Sequence, residues 1–365
     1  MKKITIIGAG IGGLTTAIAL EQKGYEVHLF EAFAKMKRLG AGIVLANNAM
    51  QVYRRLGLQS IIEKAGNRID ALKVVDENLE VMTQVQVKQF KQKIGVNYVA
   101  IHRGDLQEVL LRQLKRTQLH LGKRLQNVEE NEDGVYLSFE DGGTHRCDAL
   151  LAADGIHSRV REQLFPASTV RSAGQTCWRG VAKITLPQPY AHVVSESWGM
   201  GTRFGLVPLQ HKECYWFAVA NYRTDFRKDF ADKKLTDILT DYHPLVHEVI
   251  RATPADQILL NELNDLAPMS RWHTNRVCLV GDAAHATTPN MGQGACQAIE
   301  DALAISICLE QSTDLAKAFK QFQSLRMKKA NDIIRQSWQI GKLAHLPKGF
   351  KRNMRNAVLR LTPEW

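Results

Sequence analysis

The sequence has no uninterrupted apolar stretch long enough to span a bilayer, because glycine or a polar residue breaks every candidate run. It also has no C-x-x-C pair. Its six cysteines, Cys147, Cys177, Cys214, Cys278, Cys296 and Cys308, lie scattered. That pattern argues against a disulfide framework and suits core thiols in a reduced, cytoplasmic protein. The twelve histidines do not cluster along the chain. His243 and His247 have helical i,i+4 spacing, but Pro244 lies between them and no third ligand is evident, so no metal site is expected. Repeats, low-complexity linkers and nucleic-acid-binding modules are missing, as is any concentrated basic stripe before the extreme C-terminus. The formal charge of +11 therefore suits an anionic cofactor, an anionic substrate or an acidic surface rather than nucleic acid.

What is present starts with "ITIIGAGIGG", which follows only Met1, Lys2 and Lys3. A positive start, an apolar run and Ala17-Ile18-Ala19 have the outline of a secretory signal. Gly8, Gly10, Gly12 and Gly13 oppose that reading, since glycine weakens the middle of a helix. Residues 4–7 are all β-branched, as a parallel strand buried on both faces requires. Gly8, Gly10 and Gly13 then give G-x-G-x-x-G: a tight turn, room for a pyrophosphate against the backbone, and close helix–strand packing. A helix is predicted over 14–22, with amides at its start for the phosphates, and Gly24 ends it. "YEVHLFE" is a second strand finishing at Glu31, whose carboxylate can bind both hydroxyls of an adenosine ribose.

Farther on, a helix is predicted over 48–56, and "ALKVVD" with "EVMTQVQV" alternates like a hairpin. "HRGDLQEVLLRQL" opens a helix with Leu106, Val109, Leu110 and Leu114 on one face. "DGG" is a turn and 149–153 a buried strand. Between about 175 and 263, successive strand-like runs suggest an antiparallel sheet in a separate layer. "RVCLVGDAAHA" returns to a buried parallel strand, "GQGACQAIEDALAISICLEQ" is a helix, and everything after Leu315 is helical in pattern.

Three motifs now stand in order: the glycine turn with Glu31, "LLAADGIHSRVR", and "VCLVGDAAHATTPNMGQGACQAIEDA". Together they resemble the single-component flavoprotein aromatic hydroxylases of the para-hydroxybenzoate hydroxylase type, within the branch holding salicylate-type hydroxylases, urate hydroxylase and zeaxanthin epoxidase. The resemblance implies an α/β fold: a Rossmann-like FAD-binding domain, an inserted and mostly antiparallel β-sheet substrate domain, and a helical C-terminus. Residues 1–70, 99–172 and 270–340 would form the FAD domain, 71–98 and 173–269 the substrate domain, and 341–365 a C-terminal helix. FAD would be bound non-covalently. NADH or NADPH would dock transiently as hydride donor, since there is no second dinucleotide fold. One oxygen atom from O2 would then pass through a C4a-hydroperoxyflavin to a small aromatic, heterocyclic or isoprenoid-like substrate, by hydroxylation or epoxidation. A reductase of the same superfamily and a non-catalytic FAD-binding protein are the alternatives.

Residue by residue, the resemblance assigns Gly8, Gly10, Gly13 and Glu31 to the adenosine half of FAD. Asp154-Gly155 matches the family's DG motif, and Gly281-Asp282 its ribose-contacting GD motif. Pro289, Gly292, Gln293, Gly294 and Ala295 match the loop beside the isoalloxazine, where free amides at a helix start can stabilise negative charge on reduced flavin. Arg103 matches an arginine near the FAD phosphates, or is a solvated helix-start residue. Leu125 matches a backbone contact to adenine, or is core. Arg38 helps bind flavin or nicotinamide, or belongs to a surface basic run. On the substrate side, Arg203 and Tyr215 match substrate-contacting, catalytic positions and Arg179 a further pocket position, unless they are sheet packing. Trp178 and Phe217 are expected in the core. Asn290 stands where urate hydroxylase has an aspartate proposed as general base, and an amide cannot take a proton at neutral pH. Tyr215 or His211 is left to serve a phenol. Finally, Phe350, Met354, Ala357, Val358 and Leu361 share one helical face, expected to dock on the body; the alternative is weak peripheral contact with an anionic membrane. Oligomeric state is not legible.

Overall fold

The computed structural model describes residues 2–36, 38, 41–230 and 233–362. The nucleotide layer is a five-stranded parallel sheet in the order Val277–Leu279, Ala149–Ala152, Lys3–Ile7, Glu26–Phe30 and Gln118–His120. Ile4, Thr5 and Ile6 are fully buried, so both faces of the first strand are covered and its β-branched run is explained. Helix Ile11–Gln22 and helix Gly294–Gln311 pack together on the sheet. A Cβ on Gly12 would lie 3.0 Å from the Cβ of Ala298, so the two helices approach as closely as small residues allow. Leu106 and Leu110 are buried from helix Arg103–Leu111, as their spacing requires.

A seven-stranded sheet forms the second layer, ordered Leu259–Leu266, Val170–Lys183, Glu213–Asn221, Thr202–Pro208, Val193–Trp198, Ala71–Val75 and Val81–Val85. The expected hairpin over 71–85 is present. It joins the sheet through a parallel pairing of Ala71–Val75 with Val193–Trp198, so one parallel pair sits among antiparallel ones. The other face of this sheet, carrying Trp178, Phe204 and Trp216, is closed by helix Pro244–Arg251. A three-stranded sheet, Gly42–Leu45, Tyr98–His102 and Asn67–Ile69, connects the two layers. Helix Lys88–Ile94 has no counterpart in the sequence reading; only Phe90 and Ile94 among its residues are apolar, and none of its residues is fully buried.

Two expectations are corrected. Histidines distant in sequence do meet: His28 and His120 stack with ring nitrogens 3.2 Å apart, and the His145 ring centroid lies 4.7 Å from that of His28. Parallel pairing of their strands brings His28 and His120 together, and His145 reaches them from an antiparallel strand, Thr144–Cys147; no group of three or more His, Cys, Asp or Glu among the described residues is arranged to hold a metal. The C-terminal helix Phe350–Leu361 does dock, but through its other face. Phe350 and Leu361 are 80% and 83% exposed, while Arg355 is buried. The cause is the preceding helix, Leu315–Ala344, whose last carbonyls lack intrahelical donors. The Arg355 guanidinium donates to the carbonyls of Leu343 and Ala344 and to that of Trp198, which turns the apolar stripe outward.

Candidate active site

The first strand runs into Gly8, whose φ of +100° favours glycine. A Cβ there would also stand 2.4 Å from the Ala153 carbonyl oxygen. One on Gly13 would meet the Gly8 carbonyl at 1.9 Å. Gly10 differs: its φ is −70°, and nothing lies within 4 Å of where its Cβ would be. This open space sits where helix Ile11–Gln22 begins without a side-chain cap, leaving its first-turn amides for a ligand. Glu31 is held at the rim, its carboxylate accepting from the amides of Ala9 (2.8 Å) and Phe33 (3.0 Å).

Asp154 and Gly155 lie against this turn, with the Asp154 Cα 3.1 Å from the would-be Gly8 Cβ. Asp154 Oδ2 accepts from the Val160 amide, whereas Oδ1 is buried without a partner. Burial raises its carboxyl above the usual range. Arg103 is exposed at the start of its helix, with an unpaired guanidinium among the described residues. Arg38 is not free in this way. It ion-pairs Asp105 at 2.7 Å and Glu213 at 3.0 Å, which raises its pKa and takes up the charge assigned to a cofactor. Leu125 is 3% exposed, so its side chain belongs to the core.

Gly281, at φ +58°, precedes Asp282, which opens the short helix Asp282–His285 and is exposed. Three residues that sequence reasoning missed hold this turn. Asp301 accepts from the Gly281 amide (2.9 Å), from His285 (2.6 Å) and from Arg326 (2.7 Å). Burial opposes the Asp301 charge, but His285 and Arg326 outweigh it and hold its pKa down to about 2. The signal was available in "GDAAH" and "IEDA", but only the fold joins them. Pro289–Met291 forms a 3-10 turn, and Gly292 follows at φ +62° with open space where a Cβ would be. Gln293 accepts from Asn48 at 3.1 Å. Gly294 and Ala295 begin the long helix, and a Cβ on Gly294 would be 3.8 Å from Asp282 Oδ1. Cleared space at Gly10 and Gly292, an uncapped helix start, an unpartnered Asp154 oxygen and exposed Arg103 and Asp282 fit a dinucleotide of FAD's polarity.

The seven-stranded sheet supplies the opposite wall. Arg203 pairs with Val219, Gly205 with Phe217 and Val207 with Tyr215, while Arg179 lies across from Phe217. Directly opposed residues share a face, so Arg179, Arg203 and Tyr215 project to the same side. Phe217 does too, half-buried. This corrects its expected core position; Trp178 is indeed core. Gly205 makes room for it, since a Cβ there would meet the Phe217 ring at 2.0 Å.

Arg203, Arg179 and Tyr215 each keep an unused donor on this face. Arg203 donates to Glu196 (2.9 Å) and Asn290 (2.5 Å), yet its buried Nε has no partner. Arg179 donates to Asn261 at 2.7 Å, and its Nε is likewise unpartnered. The Tyr215 hydroxyl has no protein partner among the described residues, and burial pushes its pKa up. Val181, Val194, Val207 and Phe217 surround Tyr215 in one apolar cluster. Asn290 is fully occupied: Oδ1 accepts from Arg203, and Nδ2 donates to Thr288 (2.9 Å) and the Ser337 carbonyl (2.8 Å). His345, also missed from sequence, is buried beside this group and bonds Gln175 at 2.9 Å. Burial, then Arg203, lower its pKa to about 3, so it stays neutral. His211 is exposed in the turn between strands at φ +58°, away from this face.

Comparison with known proteins agrees with this geometry. Residues 1–318 match the family model described as an FAD binding domain. An aurachin C monooxygenase/isomerase from Stigmatella aurantiaca is 35% identical over 98% of this chain and 94% of its own. A 2-heptyl-3-hydroxy-4(1H)-quinolone synthase from Pseudomonas aeruginosa is 30% identical over 99% and 94%. The crystal structure of Klebsiella pneumoniae HpxO with FAD and uric acid superposes with a TM-score of 0.90 at 30% identity, covering 98% of this chain and 92% of that one. No helix among the described residues is long and apolar enough to cross a membrane. The chain belongs to the FAD-binding-domain family and is an FAD-dependent monooxygenase that draws its electrons from NAD(P)H.

Proposed function

We propose that this monooxygenase hydroxylates an electron-rich aromatic N-heterocycle bearing an apolar substituent, of the 4-quinolone kind. The observation that carries this reading is the occupied amide of Asn290, on a wall whose carboxylate, Glu196, is already engaged by the Arg203 guanidinium at 2.9 Å. A phenol activated by deprotonation needs a base positioned beside it. Asn290 cannot serve, the Tyr215 phenol is shifted away from ionising, and His345 is held neutral with its pKa near 3. A 4(1H)-quinolone needs no such base, because its ring nitrogen already makes carbon 3 nucleophilic. The names of the Stigmatella and Pseudomonas relatives agree with such a substrate.

In this reading the valines and Phe217 bind the apolar part and exclude water. The free Arg203 Nε, Arg179 Nε and Tyr215 hydroxyl orient the heterocycle's oxygen by hydrogen bonds. Gly8, Gly10, Gly13, Glu31, Arg103, Asp154, Gly155, Gly281 and Asp282 would hold the cofactor. The turn from Pro289 through Ala295 would lie beside its ring. When bound, FAD supplies hydride acceptance from NAD(P)H and activation of O2; the products are hydroxylated substrate, NAD(P)+ and water. The test is a substrate panel on the holoenzyme. 2-Heptyl-4(1H)-quinolone should stimulate NAD(P)H oxidation and yield a product one oxygen atom heavier, while urate and salicylate should not. Stimulation by urate alone overturns the substrate assignment.

A further inference from the structure

The helix Phe350–Leu361 is oriented the opposite way from an ordinary surface helix. Phe350, Met354, Ala357, Val358 and Leu361 fall within an arc of about 100° at helical spacing, and all five are exposed. The inward face is held by charge: Arg355 on three carbonyls, Arg352 on Glu77, and Arg360 on Asp76 at 2.8 Å. Leu343, whose carbonyl Arg355 grips, adds another exposed apolar side chain beside the helix. From residue 341 to residue 361 there is no Asp or Glu, but there are six Lys or Arg residues. Lys348 and Lys351 are exposed, and no protein carboxylate among the described residues pairs them. Lys351 borders the apolar arc.

We propose that this face is a docking surface for an anionic phospholipid membrane, lying in the plane of the interface rather than crossing it. An apolar strip flanked by uncompensated lysines matches acyl chains beside anionic headgroups. The body already orders the helix, so binding does not have to fold it. A second copy of the chain fits less well. A two-fold interface would bring together two copies of a segment that carries six Lys or Arg residues and no Asp or Glu, like charge against like. The inference is independent of which substrate the enzyme takes, since none of these residues lies at the candidate active site.

The test is flotation of the FAD-loaded protein with vesicles of phosphatidylcholine plus phosphatidylglycerol, against phosphatidylcholine alone, at low and high salt. Wild type should co-float with the anionic vesicles at least about tenfold better than with neutral ones, and salt should reduce this. The double substitution F350S/L361S should lower co-flotation at least about tenfold while retaining FAD and melting temperature. Lys351→Glu should lower it roughly fivefold or more. No co-flotation of wild type overturns the proposal, as does equal flotation of F350S/L361S. So does a wild-type dimer in sedimentation that F350S/L361S converts to monomer, since the face would then bind its own copy.

Discussion

The Arg203 guanidinium donates to Asn290 Oδ1 at 2.5 Å, joining a strand of the large sheet to the turn that starts the long nucleotide-side helix. The same Asn290 reaches the Ser337 carbonyl in helix Leu315–Ala344, so one side chain ties together three parts of the fold. Its role is positional, and an acid in its place would not be an isosteric gain of function. In Asn290→Asp, a carboxylate oxygen would face the Ser337 carbonyl where the amide now donates. We expect a loss of about 1–3 kcal/mol in urea denaturation near neutral pH, shrinking at acid pH as the carboxyl protonates and regains a donor. Unchanged stability would show that the amide does not bridge these segments.

Gly8 and Gly10 separate fold from function. Gly8→Ala places a Cβ 2.4 Å from a carbonyl oxygen at a left-handed φ, so the apoprotein itself should lose stability. Gly10→Ala meets no protein atom within 4 Å at an ordinary φ. Its apoprotein should melt like wild type, while FAD affinity falls at least about tenfold. The paired readout is apoprotein melting and FAD titration. Gly10→Ala with wild-type affinity would mean that the cleared space is not where the pyrophosphate lies.

Acid should weaken the fold in two stages. Burial lowers His145 to about 4 and His345 to about 3, so the folded protein keeps them neutral while unfolded chains protonate near 6.5. Their contribution is complete above about pH 6.5 and is lost as pH falls toward 4 and 3. Asp301, held down to about 2 by His285 and Arg326 against the cost of burial, adds a further loss once pH drops below its unfolded value near 3.8. Denaturation midpoints measured from pH 7 to pH 3 should fall throughout. In His345→Gln, which retains a hydrogen-bonding side chain, the fall below pH 6.5 should be shallower; an identical slope would exclude His345 as a contributor.

The parallel strand, glycine turn and Glu31 were legible because local physics dictates them: β-branching, positive φ and a helix start all fall within one short stretch. The face shared by Arg203 and Tyr215 was legible only as neighbouring runs. Which side Phe217 takes depends on a register that pairs it with Gly205, and no single strand shows that. Arg38 illustrates a second limit. Its partners lie 67 and 175 residues away, so its neutralisation could not be read from a basic run. The C-terminal helix illustrates a third. Its apolar stripe was visible, but the uncapped carbonyls at Leu343 and Ala344 drew Arg355 inward instead.

The central claim is that Arg203 and Tyr215 hold an apolar heterocycle beside the cofactor. It is tested most directly by the ratio of hydroxylated product to NAD(P)H oxidised, with 2-heptyl-4(1H)-quinolone as substrate. Displacement of a bound substrate by about 1 Å can cost on the order of a hundredfold in the transfer step, while consumption of NAD(P)H and O2 continues. Wild type should approach one product per NAD(P)H. Tyr215→Phe and Arg203→Ala should retain FAD and substrate-stimulated NAD(P)H oxidation, yet release most of the oxygen as hydrogen peroxide. Wild-type ratios and substrate affinity in both variants would contradict the claim, making these residues sheet packing.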